Sequence, residues 1–354
     1  MTKAQTPREV ALMTLEKVLQ QKSYSNLQLN QALKKSQLEM RDQALVTQLV
    51  YGTIQHKIFL EYQIKDLLRT EPKNAFVRPI LLLSLYQLFF LDKIPDHAVI
   101  NEANLLAKKY TNGNLYKMIN AILRNVQRQG VILPEPEGSS EYLSVKESMP
   151  VWLVQYFEKN FGSDKTAQIL SSYNTVPHNS VRVNTNEISV DAAQTELEAD
   201  GYKVTASKLN PENLILNKGQ IAQTALFQTG MITIQDEAAS AVVKQLNVQP
   251  DDQVLDACAA PGGKTMQIAQ ILKQGHGHVV ALDLHQKKLQ LIDENKQRMG
   301  LSAQISTKAL DARKAGSEFE KQSFDKILVD APCSGLGLMR RKPEIRYEKS
   351  LQDI

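Results

Sequence analysis

Over residues 253–330, short apolar runs alternate with helical patterns, and this rhythm constrains the fold more than any other feature of the chain. Residues 253–256, 278–283, 303–307 and 324–330 read as strands. Residues 265–273 and 287–299 read as helices, with Leu289, Ile292 and Met299 among the apolar positions of the second. Strands alternating with helices predict a parallel, doubly wound sheet, whose ligands bind beyond the carboxyl ends of the strands. Asp256, Asp283, Asp311 and Asp330 stand at or just after those ends. The last run, FDKILVD, is nearly all apolar and is expected to be buried on both faces.

A glycine turn, Ala260-Pro261-Gly262-Gly263, follows the first strand and lets backbone approach a ligand closely. Asp283 ends the second strand, where a carboxylate can accept hydrogen bonds from ribose hydroxyls. Together these point to a nucleoside-containing cofactor, although GxGxxG is not spelled. One aspartate at a strand end is as often a turn or helix cap as a ligand. Four beside one glycine turn outweigh that reading. Gly263-Lys264-Thr265 also resembles the end of a P-loop. That pattern needs a glycine at position 258, where this chain has Cys258, so a nucleotide hydrolase ranks lower. Lys264 can hold a carboxylate or cap a local charge.

Asp330-Ala331-Pro332-Cys333-Ser334-Gly335 follows the fourth strand and holds a thiol and a carboxylate at the ligand edge. A lone cysteine is more often buried and structural. The Asp-x-x-Cys turn at a ligand-facing edge favours a chemical role. Arg340, Arg341 and Lys342, with Arg346 and Tyr347, then suit a nucleic-acid backbone and a stacked base.

Residues 1–130 read as all helix. Thr6-Pro7-Arg8-Glu9 is a capping box, and Leu115, Met118, Ile119, Ile122, Leu123 and Val126 form an apolar stripe off which Lys117, Arg124 and Arg128 fall. Gly113 and Asn114 punctuate that helix start. Across these residues 18 Lys and Arg stand against 10 Asp and Glu, a net +8 in a chain of net +4. A basic helical front end hints at a polyanionic partner, while charge alone favours a solvated helical surface. Residues 131–150 read as a linker, 151–229 as a small α+β subdomain and 230–354 as the doubly wound domain. The apolar stretch 80–91 is too short to span a bilayer and reads as a core helix. Two cysteines exclude a disulfide framework and no cluster suggests a metal site. With no signal-peptide pattern, a cytoplasmic setting is expected.

Asp256-Ala-Cys-Ala-Ala-Pro-Gly-Gly-Lys-Thr265 and Asp330-Ala-Pro-Cys-Ser-Gly335 resemble two motifs of the RNA cytosine-C5 methyltransferases that use S-adenosyl-L-methionine. Gln235-Asp236-Glu237 with Ser240 resembles the helix leading into their catalytic domain, and Arg182-Val183-Asn184 their pre-catalytic subdomain. The N-terminal helices resemble the RNA-binding NusB fold. The combination is similar to the RsmB (Sun/Fmu) family, which implies 16S rRNA as partner and a Rossmann-like domain behind NusB-like helices. By position, the resemblance makes Cys258, Ala259, Ala260, Pro261, Gly262, Gly263 and Lys264 the cofactor loop. It sets Asp283 at the ribose, Asp311 by the adenine and Asp330 beside the methionine end and the target base. The family uses two cysteines, an attacking one in a later Thr-Cys motif and one in Asp-Ala-Pro-Cys that assists release. Cys333 matches the second, and no Thr-Cys follows it. The chain is therefore expected to be a fragment without turnover, its fourth strand left as an exposed edge. An RNA-binding module without catalysis is the alternative.

Overall fold

The protein is described by a computed structural model that covers residues 5–354 apart from 22–24, 69, 71 and 114. Asn114, expected at a helix start, lies outside the described residues. Two compact units form: residues 1–176 with 334–354, and residues 177–333.

The first unit is helical: α1 (Pro7–Gln21), α2 (Ser25–Lys35), α3 (Met40–Gln55), α4 (Lys57–Ile64), α5 (Val77–Phe90), α6 (Asp96–Tyr110) and α7 (Leu115–Gln129). The expected capping box opens α1: Thr6 N–H donates to Glu9 Oε2 and Glu9 N–H to Thr6 Oγ1, both at 3.2 Å. Helix α5 is the hub, with Ile80, Leu81, Leu82, Leu83 and Leu85 fully buried. Among the described residues no helix is long and apolar enough to cross a membrane. Gly52 lets α3 pass against α5, since a Cβ there would lie 2.0 Å from Tyr86 Cζ. Helix α7 buries Ile119, Ile122, Leu123 and Val126 and exposes Lys117, Arg124 and Arg128, as its periodicity predicts.

Three more helices follow: α8 (Ser140–Glu147), α9 (Val151–Phe161) and α10 (Ser163–Ser172). Residues 131–150 are thus not linker throughout. Ser139 caps α8, its side chain accepting from Tyr142 N–H, and Leu143 and Val145 are buried. Leu143, Leu153, Val154, Phe157 and Leu170 build a small core with Met339 and Ile345 from the returning C-terminal segment.

The second unit begins with a mixed piece: β1 (Asn179–Val183), α11 (Val190–Ala199), β2 (Val204–Ala206), β3 (Asn213–Leu216), α12 (Ala225–Gln228) and β4 (Ile232–Ile234). Its strands pair antiparallel in the order β2-β3-β1-β4. Helix α13 (Glu237–Leu246) leads into β5 (Gln253–Asp256), α14 (Gly263–Leu272), β6 (His278–Asp283), α15 (Gln286–Arg298), β7 (Ile305–Ala309), α16 (Ala315–Glu318) and β8 (Lys326–Leu328). These strands form the expected parallel sheet in the order β7-β6-β5-β8. One expectation fails. The run 324–330 is not buried on both faces: Leu328 is buried, but Ile327 is 54% and Val329 63% exposed. Among the described residues β8 pairs only with β5, so it is an edge with one face uncovered.

Candidate active site

The register of the parallel sheet brings β5, β6 and β8 to a common end, with Asp256 paired to Ala281 and Leu328. Beyond it the chain turns sharply. Ala257 N–H bonds Leu328 O at 2.9 Å and Ala259 N–H bonds Leu282 O at 2.8 Å, which pins the turn to both neighbouring strands. Gly262 then takes φ 104°, and a Cβ there would press to 3.1 Å from Ile292 Cγ1. Only glycine fits both limits. Helix α14 starts at the next residue with its N–H groups facing the turn.

A cavity of about 190 Å³ lies against this turn, bordered by Asp256, Cys258, Ala260, Pro261, Lys264 and Asp330, with Gln235 on the far wall. Asp256 is 1% exposed. Thr265 Oγ1 donates to its Oδ2 at 2.7 Å, while Oδ1 has no partner among the described residues. Burial pushes its carboxyl up to about 6, against the opposing pull of the Thr265 hydrogen bond and of Lys264. Lys264 meets Asp330 Oδ2 at 2.6 Å, so the lysine does hold a carboxylate.

The electrostatics of Cys258 report how the acids are grouped. Its thiol is pushed up first by burial, then by the charges of Asp256, Asp283, Asp330 and Asp311. Of the four strand-end carboxylates, Asp256 and Asp330 border the cavity, while Asp283 and Asp311 are not part of its lining. Two of them also serve locally. Asp283 Oδ1 accepts from His285 N–H at 2.9 Å, and Asp311 caps the turn after β7 and grips Arg313 at 2.6 Å. Arg313 hydrogen bonding lowers the Asp311 carboxyl to about 2. Cys333 is an exposed free thiol, just past Asp330 in the chain and outside the lining of the cavity. Among the described residues no group of three or more His, Cys, Asp or Glu could hold a metal ion.

The basic segment after Cys333 departs from its reading. Arg346 is fully buried, and its Nη1 donates to Gln55 O (3.2 Å), Ser148 O (3.3 Å) and Asn174 Oδ1 (3.1 Å). Tyr347 OH donates to Gln55 O at 3.1 Å. Glu344 Oε1 accepts from Ser25 N–H and Oγ–H. These side chains fasten the segment to the helical unit and offer nothing to an RNA. Of the basic run, Arg341 is the exposed member.

Gln235 is the wall residue that sequence reasoning placed only in a lead-in helix. It arrives from the antiparallel sheet, where its Oε1 accepts from Arg182 Nε at 2.7 Å and its Nε2 donates to Gln267 at 2.8 Å.

Three family descriptions match in chain order: the NusB family over residues 5–128, a Methyltr_RsmF/B-like ferredoxin-like domain over 149–222, and 16S rRNA methyltransferase RsmB/F over 243–354. The probable ribosomal RNA small subunit methyltransferase B of Bacillus subtilis is 41% identical over 98% of this chain and 77% of its own length. The corresponding protein of Pseudomonas syringae pv. tomato is 35% identical over 98% of this chain and 76% of its own. The crystal structure of PH0851 superposes with a TM-score of 0.77 at 25% identity, covering 100% of this chain and 80% of that one. NSun6 from Pyrococcus horikoshii with SFG shares the fold, with a TM-score of 0.52 at 23% identity over 59% of this chain and 76% of that one. With its NusB-like helices, its mixed subdomain and its parallel sheet, the chain belongs to the ribosomal RNA small subunit methyltransferase B family.

Proposed function

We propose that the second unit binds S-adenosyl-L-methionine against the glycine turn and presents it to a cytosine of 16S rRNA for methylation at C5. The observation that carries this reading is the cavity against the glycine turn, bordered by Asp256, Cys258, Lys264 and Asp330. The donor set fits the cofactor: carboxylates for ribose hydroxyls and for a cation, a turn carrying two adjacent glycines, and the buried carboxyl of Asp256 at the cavity. Bound there, the cofactor supplies an electrophilic methyl group.

The residues divide the work by chemistry. Asp283 holds the ribose hydroxyls and the 258–264 turn lies along the nucleoside. Asp311, at the next strand end, faces the adenine. Asp330 sits beside the methionine end, and Lys264 keeps its carboxylate oriented. C5 of cytosine is a weak nucleophile until a thiolate adds to C6, and a carboxyl group near N3 steadies the charge that develops. After methyl transfer a base removes the C5 proton and the thiolate departs. Cys258 is a poor candidate for that thiolate, because burial and four acids disfavour its ionisation. Cys333 faces solvent and takes the release role. The helical unit's exposed Lys117, Arg124 and Arg128 support contact with the RNA backbone, and such a substrate agrees with a cytoplasmic setting.

Calorimetry tests the reading directly. The 354-residue chain should bind S-adenosyl-L-methionine, and Asp283→Ala should weaken it at least tenfold. Failure to bind the cofactor would leave the RNA-binding reading.

A further inference from the structure

A second cavity in the same unit, of about 170 Å³, is bounded by residues of β1, α13 and α14 and by the turn before β3. Its charged lining is Arg182, Glu212 and Lys244. Arg182 is 1% exposed, and beyond the Nε bond to Gln235 its Nη2 has no partner among the described residues. Gln270 lines the same cavity, and its Oε1 accepts nothing there. A buried donor and a buried acceptor left open beside a cavity mark places where a ligand gains hydrogen bonds.

The lining discriminates between ligand classes. An oxyanion presents acceptors alone; Arg182 and Lys244 suit it, but the Glu212 carboxylate and Gln270 Oε1 oppose it. A base edge presents both kinds of group. Guanine offers O6 and N7 to a guanidinium and its N–H groups to a carboxylate. The volume is below the roughly 300–1,000 Å³ of pockets for drug-sized ligands and suits one base.

We propose that this cavity is an RNA subsite for one unpaired guanine, with Arg182 at its acceptor edge and Glu212 at its N–H edge. The inference rests on the RNA methyltransferase reading and names a part of the substrate. Unpaired bases are what proteins read in RNA by their edges. The two cavities share one buried hydrogen-bond chain. Arg182 and Gln267 line the second cavity, Gln235 lines the first, and Gln235 bonds both. A guanine held here is therefore a close neighbour of the methylated nucleotide.

Equilibrium dialysis of the 354-residue chain, saturated with S-adenosylhomocysteine, against guanosine monophosphate, cytidine monophosphate and inorganic phosphate tests the subsite. Guanosine monophosphate should be retained at least tenfold more tightly than the cytidine nucleotide. Glu212→Gln should cost it about tenfold while leaving S-adenosylhomocysteine binding in place, which also shows that the variant folds. Equal retention of the two nucleotides, or none, overturns the inference. So does displacement of the guanine nucleotide by phosphate, or tighter phosphate binding in Glu212→Gln, either of which makes this an oxyanion site. Absent S-adenosylhomocysteine binding would instead defeat the cofactor reading, and nucleotide retention is then read on the unsaturated chain.

Discussion

Asp256 borders the cavity at the glycine turn with its carboxyl raised to about 6 by burial. The folded chain then keeps a proton that the unfolded chain has lost between roughly pH 4 and pH 6, so stability falls as pH rises through that window. Above it the fold carries a buried charge at a cost on the order of 1–3 kcal/mol. Asp256→Asn removes the charge and keeps an acceptor for Thr265. Urea unfolding should show the variant more stable than the parent at pH 7.5 and the two converging near pH 4, while cofactor binding weakens in the variant. An equal gap at both pH values would refute the assignment. The four strand-end acids were legible in the sequence because a parallel sheet delivers every strand end to the same edge. Gln235 and Arg346 were not. Gln235 reaches the cavity from another sheet, and Arg346 finds its acceptors on Gln55, Ser148 and Asn174, far away in the chain. A run of basic residues says nothing about which of them will be buried.

At the scale of elements, the same limit appears in β8. An apolar run fixes a strand, but whether a second layer covers it depends on neighbours that the run does not encode. Ile327 and Val329 are more than half exposed although their sequence reads as doubly buried. The reverse happens at α8, where Pro134, Pro136 and Gly138 suggest a linker and yet Ser139 caps a packed helix two residues later in the register of Leu143 and Val145. The open edge has a kinetic signature. Amides of Lys326–Leu328 should exchange with solvent faster than those of the central strand His278–Asp283, since β8 is paired on one side and β6 on both. Val329→Lys should reduce self-association at a cost within about 0.5 kcal/mol, because a charged edge resists strand addition and an exposed site tolerates change. Equal protection of the two strands in a monomer would contradict the open edge.

The whole chain is organised as one unit inserted into another, because residues 334–354 return to the helices with which the chain began. Arg346 is the main fastening of that return. It donates to two backbone carbonyls and an amide, with its remaining N–H groups at Nε and Nη2 buried and without partners among the described residues. Its burial keeps it from RNA but makes it structural. Arg346→Ala leaves those acceptors empty and opens a cavity under Tyr347, which should destabilise the helical unit by about 2–4 kcal/mol. A chain with two cores need not unfold in one step, so differential scanning calorimetry can separate the effects. Ligands that bind only the folded form raise the transition of the unit they occupy. S-adenosylhomocysteine should therefore move one transition upward, and Arg346→Ala should move the other downward without changing ligand affinity more than about twofold. A common shift of both transitions by the ligand would show that the two cores melt together. Loss of ligand binding in Arg346→Ala would show that fastening the returning segment also shapes the cofactor cavity, a role that none of the Arg346 hydrogen bonds to the helical unit requires.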